Sequence, residues 1–330
     1  MKAALIYDQL DPSPVRAWVE AEYETPETID ALLAAMAQQC GRAVPIPFGP
    51  SLVEDLEREA PDVAFNIAEG WEGPSRESIV PAVLDHLGIP YTGSDAVALG
   101  ISLNKALTKR LAAGAGVRTP RFRLFTSGRQ AAQQGHELAY PVLLKPNFGG
   151  SSVGVRPDGV VRCAADLPGL VEDYVTRYEQ PCLAEQYVVG ADVTVGLLGN
   201  GEPEVLPPAR IVAPAGMYSE QVKRHHDRRV VCPCALPSGL KDELTDWSLR
   251  IYKLIGARDF ARVDFMVDEE GRGHFLEINP LPGLSPYYGV FPVLAAAAGY
   301  THTELIGAII ELALERARHA GNLAHGNLAR

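Results

Sequence analysis

The sequence predicts an α/β protein with more than one structural unit, and three observations support this prediction. Strand-like and helix-like segments alternate over roughly the first 95 residues, which is typical of a parallel sheet with helical crossovers. In the rest of the chain, short apolar–polar alternations around turns favour antiparallel strands mixed with helices. At 330 residues the chain is also longer than one ordinary hydrophobic core requires.

The first unit is expected to cover residues 1–95 and to contain a parallel sheet. Thr25 predicts the start of its first helix, because a threonine side chain caps backbone N–H groups and Pro26 fits the first turn. The expected strands are 3–7, 44–48 and 61–66, and the expected helices are 25–39, 52–60 and 78–87. Ligands of parallel sheets bind at the carboxyl ends of the strands, so loops 8–13 and 69–76 are predicted to form the functional edge.

The second unit is expected at residues 96–188 and the third at 189–330, each combining helices with antiparallel strands. The predicted strands are 121–125, 141–146, 182–188, 193–198 and 204–212 with a hairpin at 260–283, and the predicted helices are 104–113, 129–136, 167–178, 239–255 and 303–317. Residues 217–231 are polar and are interpreted as a long loop.

Composition limits the classes of partner. The net charge of −11 argues against nucleic acid or an anionic membrane surface, so any phosphate ligand must be met by local lysines. No apolar run approaches the roughly 18 residues of a membrane-spanning helix, and the N-terminus has no signal-peptide pattern. The few cysteines lack the spacing of a metal site and fit a reducing compartment, so we expect a cytoplasmic protein.

The predicted hairpin carries a candidate metal site. Strand side chains repeat every two residues, so Arg262 shares a face with Asp264, and Glu277 shares a face with Asn279 in the second strand. Antiparallel pairing would gather two carboxylates and an amide oxygen, the hard ligands that Mg²⁺ takes together with substrate phosphates. A solvated hairpin face is the alternative. The stiff loop that ends in Gly283 favours a ligand site, because its backbone N–H groups can meet a substrate.

A lysine at the end of a buried strand, Lys145, precedes a glycine- and serine-rich loop at 147–155. Glycine lets the backbone approach a ligand closely, and successive N–H groups in such a loop bind phosphate oxygens. Gly150, Ser151 and Ser152 are therefore candidate phosphate contacts, with Lys145 supplying positive charge. The loop matches neither common phosphate-binding motif, and an ordinary glycine-rich hairpin tip is the alternative.

The strand end that follows is a candidate purine site. Glu185 supplies an acid, Tyr187 an aromatic face, and the backbone around Val188 supplies donors and acceptors for a base. Asp192 lies four residues farther on, where a carboxylate can accept hydrogen bonds from ribose hydroxyls. An ordinary edge strand is the alternative interpretation.

Five segments follow one another at characteristic intervals: SLNKALTKRL (102–111), PVLLKPNFGGSSVGV (141–155), AEQYVVGADVTV (184–195), RVDFMV (262–267) and FLEINPLPG (275–283). Together they make the chain resemble an ATP-grasp ligase, and the most similar group is the D-alanine–D-alanine ligase family. The resemblance extends from about residue 64 to about residue 312.

This resemblance implies a three-domain ATP-grasp fold with an N-terminal parallel α/β domain, in which two antiparallel sheets hold ATP and two Mg²⁺ ions, with Mn²⁺ as an alternative metal. The implied nucleotide contacts are Lys105, Lys145, Gly150, Ser151, Ser152 and Lys223 at the phosphates, Glu185, Tyr187 and Val188 at adenine, and Asp192 at the ribose. The implied metal ligands are Asp264, Glu277 and Asn279, and the implied catalytic groups are Arg262, Ser151, Lys223 and the N–H of Gly283.

The implied activity is ATP-dependent ligation of a small-molecule carboxylate to an amine through an acyl phosphate, with amino acids or related molecules as substrates. The alternatives are a true D-alanine–D-alanine ligase of cell-wall synthesis and an ATP-binding protein without catalysis. The family resemblance also implies a homodimer. A dinucleotide-dependent oxidoreductase is disfavoured, because no G-x-G-x-x-G motif follows the first strand.

The chain departs from this family at the substrate positions. Residues 7–14 do not match the family's glycine-rich loop, in which a glutamate holds the amino group of the first substrate. Glutamate stands in place of a histidine at Glu69, arginine in place of a tyrosine at Arg224, and tyrosine in place of a serine at Tyr288. We therefore expect altered substrates, and charged surface positions are the alternative. The candidate substrate contacts are Glu69, Arg76, Arg224 and Tyr288.

Overall fold

The structure is a computed structural model that describes residues 1–9, 23–150, 152–214, 219–225 and 227–327. Ser151, most of the predicted loop at 8–13 and the side chain of Arg224 lie outside the described residues. The described chain mixes helices with three sheets, which confirms the α/β class. Each sheet falls within one of the three expected units, and the unit boundaries themselves stay a prediction.

The first sheet is parallel, as the alternation of strands and helices predicts. Its strands are β1 (Lys2–Asp8), β2 (Arg42–Phe48) and β3 (Val63–Asn66) in the order β2-β1-β3, and its helices are α1 (Pro26–Cys40), α2 (Leu52–Glu59) and α3 (Ile79–Leu87). The expected cap is present, because the hydroxyl of Thr25 accepts a hydrogen bond from the N–H of Thr28. Gly41 ends α1 with a φ of 87°, a conformation that favours glycine.

The second sheet is antiparallel and has the order β4-β7-β5-β6. Its strands are β4 (Phe122–Phe125), β5 (Val142–Pro146), β6 (Val160–Val161) and β7 (Cys182–Gln186). The helices in this part of the chain are α4 (Ala96–Leu103), α5 (Lys105–Gly114), α6 (Gly128–Gln134) and α7 (Leu167–Tyr178). Short 3₁₀ segments among the described residues lie here at Gly135–Glu137 and Pro157–Gly159, and in the first unit at Arg76–Ser78.

The third sheet is also antiparallel, with the order β11-β10-β8-β12-β13 and with β9 paired to β8. Its strands are β8 (Gly190–Leu198), β9 (Glu204–Val205), β10 (Ala209–Val212), β11 (Arg229–Val231), β12 (Phe260–Asp268) and β13 (Gly273–Asn279). The accompanying helices are α8 (Glu220–Arg224), α9 (Ser238–Ile255), α10 (Val290–Ala297) and α11 (His302–Asn327).

The structure adds several elements to those that the sequence predicts, among them the two-residue strand β6. The predicted loop at 217–231 contains α8 and β11, which are both too short to show a periodic pattern. Helix α4 is apolar on nearly every side, so the only local signal for it is the cap Asp95, which accepts a hydrogen bond from the N–H of Ala98. Helix α10 is hidden by Pro292, because proline within a helix pattern usually indicates a break.

The first sheet and the last two helices share one hydrophobic core. Leu32 and Met36 of α1 lie in the same cluster as Leu305 of α11, and Phe260 of β12 and Phe291 of α10 join it. The unit predicted at the N-terminus is therefore covered by the C-terminal end of the chain. No single helix among the described residues is long and apolar enough to cross a membrane, and α10 with α11 meets that test only as a pair bent by 97°.

Asp259 connects three parts of the chain just before β12. Its carboxylate is fully buried and accepts hydrogen bonds from the N–H of Gly93, from Asn200 Nδ2 and from Arg316 Nη2, each at 2.8 Å. The φ of Asp259 is 61°, in the left-handed region that aspartate tolerates better than most residues. A buried carboxylate needs such partners, so these contacts hold the first unit against α11.

We expect Asp259→Ala to lower the free energy of unfolding by about 3 kcal/mol, because it leaves the guanidinium of Arg316 without its anion and the N–H of Gly93 without its acceptor. Urea denaturation followed by circular dichroism measures this change. The control is Glu202→Ala, which breaks an exposed pair with Lys253 and is expected to cost less than about 1 kcal/mol. Equal effects of the two substitutions would contradict the inference that Asp259 holds the first unit against α11.

Candidate active site

Strands β12 and β13 form the hairpin that the sequence predicts. Arg262 lies opposite Asn279, and Asp264 lies opposite Glu277. Side chains opposite each other in an antiparallel pair point to the same face, so all four groups meet on one surface. The expected gathering of two carboxylates, an amide and a guanidinium is therefore confirmed.

A β-bulge lies at the acidic position of this hairpin. The pair Asp264–Glu277 is followed by the pair Phe265–Phe275, so Leu276 is an extra residue in β13. Leu276 and Glu277 both line one cleft, although neighbours in a regular strand point to opposite faces. The bulge thus places an apolar side chain beside the acidic one.

The carboxylate of Asp264 is held in a fixed orientation. Arg262 donates to both of its oxygens, Nε to Oδ1 at 3.0 Å and Nη2 to Oδ2 at 2.8 Å. The hydroxyl of Thr194 donates to Oδ1 at 2.6 Å. Asn279 is oriented in a similar way, because its Oδ1 accepts from the N–H of Leu281 at 2.9 Å. Through Thr194, the neighbouring strand β8 therefore helps to orient the carboxylate of Asp264.

The donor set of the hairpin fits a hard cation that brings its own ligands. Among the described residues, no three or more His, Cys, Asp and Glu side chains cluster as a metal site. The protein itself offers the carboxylates of Asp264 and Glu277 and the amide oxygen of Asn279. Mg²⁺ typically takes one or two carboxylates and completes its shell with water and substrate phosphates.

Glu277 forms an ion pair with Lys105, the first residue of α5. Burial would raise the pKa of Glu277, but Lys105, followed by Lys145 and Arg262, lowers it to about 2. Glu277 is therefore an anion throughout the physiological range, available to a metal ion. The contact also ties α5 to the third sheet.

A cleft separates the second sheet from the third. Its polar part contains Lys105, Lys145, Asp192, Asp264 and Glu277, and its apolar part contains Leu143, Val153, Ile211, Met266 and Leu276. Tyr187 and Val188 also line it, at the connection between the two sheets. An apolar slot that leads to paired lysines and carboxylates suits a flat base joined to phosphates and a metal ion.

Lys145 reaches this cleft while its ammonium is paired with Glu185. The other oxygen of Glu185 lies 2.8 Å from the ammonium of Lys109. Burial would raise the pKa of Glu185, but Lys109 and Lys145 lower it to about 2. Burial lowers the pKa of Lys109, with Glu185 opposing it, whereas the pKa of Lys145 is raised because Glu185 outweighs burial.

The structure places the side chain of Glu185 away from the cleft, and its expected contact with adenine stays a prediction. It is buried between two lysines, and it is not among the described residues that line the cleft. Lys109, to which the sequence assigned no role, is a functional candidate instead. The available signal was its spacing from Lys105, because residues four apart share one helix face.

The glycine-rich loop after Lys145 packs against α8. The carboxylate of Glu220 accepts from the N–H of Gly154 at 2.9 Å, and its own N–H donates to the carbonyl of Val155 at 2.9 Å. Gly154 has a φ of 73°, and a Cβ there would lie 2.5 Å from Pro146, so only glycine fits. Gly149 and Ser152 line the cleft, and Ser151 lies outside the described residues. Helix α8 thus brings Lys223 to this side of the cleft.

Tyr288 meets a residue that the sequence did not indicate. Its hydroxyl donates to Glu24 at 2.5 Å and accepts from the N–H of Thr25 at 3.3 Å. A Cβ at Gly283 would lie 3.0 Å from Glu24, so this carboxylate lies directly against the loop that follows β13. Burial raises the pKa of Glu24, with Tyr288 and Lys223 opposing the shift. Glu24 therefore joins Tyr288 as a candidate substrate contact.

Arg76 does not have the position expected of a substrate contact. Its side chain is 2% exposed, and Nη1 donates to the carbonyl oxygen of Glu69 at 2.8 Å. The same loop is held from the other side by Asp8, which accepts from the N–H groups of Glu69 and Gly70. Arg76 thus stabilises the loop at 69–73 from its buried side, whereas the side chain of Glu69 is partly exposed.

Comparison with known proteins identifies the kind of molecule that this chain is similar to. Residues 111–311 match the family model described as the D-ala D-ala ligase C-terminus. An uncharacterised protein of Sinorhizobium fredii is 32% identical over 94% of this chain and 93% of its own length, and a D-alanine–D-alanine ligase of Moorella thermoacetica is 33% identical over 86% and 93%. The crystal structure of a Bacillus anthracis D-alanine–D-alanine ligase complexed with ATP is 24% identical, covers 97% of this chain and 99% of its own, and has a TM-score of 0.75. The ATP-grasp fold expected from the sequence is confirmed by this likeness.

The buried carboxylate of Asp192 gives a pH-dependent prediction. Burial and then the charge of Asp264 raise the pKa of Asp192 to about 6. The native state therefore holds a proton that the unfolded chain releases near pH 4, so this group lowers stability as the pH rises from about 4 to 6. Without metal or nucleotide, Asp192→Asn is expected to be about 1 to 3 kcal/mol more stable than the wild-type chain at pH 7.5.

Urea denaturation at pH 4 and at pH 7.5 measures this difference. The two chains are expected to have nearly equal stability at pH 4, where Asp192 is protonated in the native state. A difference that is the same at both pH values would show that the substitution acts through packing and not through the charge.

Proposed function

The chain belongs to the D-alanine–D-alanine ligase family of ATP-grasp ligases, and from this premise we propose that it uses ATP to join a carboxylate to an amine. The observation that carries the proposal is the face of β12 and β13, where Asp264 and Glu277 lie opposite each other beside Arg262. Nucleotide binding alone does not need a guanidinium next to two carboxylates. Phosphoryl transfer needs such groups to position the reactants and to offset developing negative charge.

ATP would lie in the cleft with its base in the apolar part. Tyr187 and Val188 would contact the base, and Asp192 would accept hydrogen bonds from the ribose. Lys105 and Lys145 would contact the phosphates, because their ammonium groups are the cations that line the polar part among the described residues. Gly150, Ser151 and Ser152 would add donors from the glycine-rich loop.

Asp264, Glu277 and Asn279 would hold Mg²⁺, and Mn²⁺ fits the same hard oxygen donors. A bound cation would supply electrostatic stabilisation of the transferred phosphoryl group. Arg262 and Thr194 keep the carboxylate of Asp264 facing the cleft. We propose two ions, because the resemblance to ATP-grasp ligases implies two.

The proposed reaction has two steps. A carboxylate oxygen of the first substrate attacks the γ-phosphorus of ATP, the bond to the β,γ-bridging oxygen breaks, and ADP leaves. The amine of the second substrate then attacks the carbonyl carbon of the acyl phosphate, and phosphate leaves as the amine loses a proton. The products are an amide, ADP and inorganic phosphate.

The residues around the hairpin would stabilise negative charge in different steps of this reaction. Arg262 and the N–H of Gly283 would stabilise negative charge on the acyl oxygen in the second step. Lys223 would approach the γ-phosphate from α8, and Ser151 would act beside it. Each of these groups donates hydrogen bonds to charge that develops during the reaction, which is how phosphoryl and acyl transfer are accelerated.

Glu24 and Tyr288 would contact the substrates, together with Glu69 and Arg224. The carboxylate of Glu24 lies against Gly283, so a substrate held at the reacting end of the cleft meets an acidic group there. A cationic or amino group is the natural partner of that carboxylate. The substrates are proposed to be small molecules of this kind. The homodimer stays a prediction from the family resemblance, and the cytoplasmic location stays a prediction from the cysteine content.

A true D-alanine–D-alanine ligase is the narrower candidate, because the Moorella thermoacetica relative carries that name. The contact between Tyr288 and Glu24 favours altered substrates, since tyrosine stands at 288 where the family pattern has a serine. Phosphate release from Mg·ATP with D- and L-amino acids, singly and in pairs, separates the two. Release with D-alanine alone supports the narrower candidate, and release only with another pair supports a specialised ligase.

Glu277→Gln and Lys145→Met are each expected to lower the rate of ATP-dependent phosphate release by about 100-fold or more, because they remove a metal ligand and a phosphate contact. The measurement uses the substrate pair that is most active with the wild-type chain. Glu270→Gln on the exposed turn of the same hairpin is the matched control and is expected to keep full activity. Undiminished activity of the Glu277 variant would contradict the proposed role of Glu277 as a metal ligand.

Tyr288→Phe removes the hydroxyl that orients Glu24 and is expected to raise KM for one substrate by about 10-fold while KM for ATP stays unchanged. Initial rates at varied concentrations of each substrate measure this. Tyr287→Phe, at the neighbouring exposed tyrosine, is the control. A change in KM for ATP with no change for the other substrates would place Tyr288 outside the substrate pocket.

A further inference from the structure

We propose that Lys109 is a positioning residue that keeps the positive charge of Lys145 available to the phosphates of ATP. This inference rests on the proposed function, since it takes the cleft as the ATP site. Lys109 is 1% exposed and lies behind the wall of the cleft, so it does not contact the nucleotide itself. Its effect must pass through Glu185, which it contacts.

One face of α5 supplies a cation to each wall of the cleft. Lys105 and Lys109 are four residues apart in the helix, so their side chains leave the same face. Lys105 pairs with Glu277 of the third sheet, and Lys109 pairs with Glu185 of the second sheet. The helix therefore sets the charge on both sides of the nucleotide position.

The contacts of Lys109 are those of a charged ammonium. Its Nζ lies 2.8 Å from Glu185 Oε2, 3.2 Å from Thr119 Oγ1 and 3.3 Å from the carbonyl oxygen of Phe275. The hydroxyl of Thr119 donates its own proton to that carbonyl at 2.9 Å, which leaves its lone pairs to accept from Lys109. Two hydrogen-bond acceptors and one carboxylate thus surround this nitrogen, which is the environment of a charged ammonium.

The charge balance of the cluster follows from these contacts. Glu185 forms an ion pair with Lys109 through one oxygen and with Lys145 through the other. Two cations share one anion, so one positive charge is left over, and Lys145 is the member that lines the cleft. Without Lys109, the remaining pair would be neutral, and phosphates would have to compete with Glu185 for Lys145. Lys109 thus balances the negative charge of Glu185, so the positive charge of Lys145 remains available to the phosphates.

The experiment measures binding of the β,γ-imido analogue of ATP with Mg²⁺ by calorimetry. Lys109→Met is expected to weaken binding by about 10- to 100-fold, the loss of a charge-assisted contact. Glu185→Gln removes the competing anion and is expected to bind at least as tightly as the wild-type chain. The double variant again has a single positive charge, at Lys145, and is expected to bind within about 3-fold of the wild-type chain.

A purely structural role for Lys109 predicts a different pattern. The double variant would then bind at least as weakly as Lys109→Met, because it loses further buried contacts, and this result would overturn the proposal. Adenosine, which has no phosphates, is expected to bind the wild-type chain and Lys109→Met equally. Loss of adenosine affinity in Lys109→Met comparable to the loss for the ATP analogue would also overturn it.

Two further comparisons keep the outcome decisive. Lys253→Met removes an exposed lysine paired with Glu202 and is expected to leave binding of the analogue unchanged. If Lys109→Met does not fold, Glu185→Gln must still bind more tightly than the double variant, and the reverse order would refute the charge balance. Failure of the wild-type chain to bind the analogue would contradict the proposed function instead, and would remove the basis of this inference with it.

Discussion

The ion pairs between helix α5 and the two facing sheets determine how the cleft is built. Lys105 contacts Glu277 of one sheet and Lys109 contacts Glu185 of the other. A charge is costly to bury unless it is paired, so each pair is favourable only when the helix and both sheets are in place together. The same charges meet phosphates and metal in the proposed reaction. Folding and chemistry therefore depend on one set of groups, carried by a helix of 10 residues.

Much of the fold follows from local pattern. The parallel sheet, helix α7 at residues 167–178 and the hairpin of β12 and β13 agree with the expectations, because each has a clear period and clear ends. The elements that the sequence did not predict lack either a clear period or clear ends. Helix α4 is too uniformly apolar to show a face, Pro292 interrupts α10, and α8 and β11 are stabilised by neighbours more than by their own residues.

The site was predictable in its residue types and less so in its contacts. Period two in the hairpin was enough to bring Asp264 and Glu277 together. The partners of Glu185 and Tyr288 were not accessible in this way, because Tyr288 meets Glu24 across 264 positions of sequence. The burial of Arg76 is a property of the loop packed above it. Charge and family pattern indicate which groups can bind ligands, and tertiary packing decides which of them face the cleft.

The core shared by the two ends of the chain has a consequence for synthesis on the ribosome. The apolar face of α1, which includes Leu32 and Met36, is covered by side chains of α11 such as Leu305 and Ile309. When the first sheet has been synthesised, the ribosome must still add more than 200 residues before it reaches α11. At ordinary elongation rates this takes about 10 to 40 s. The nascent N-terminal segment therefore keeps an exposed apolar surface for that time and is a natural client for chaperones.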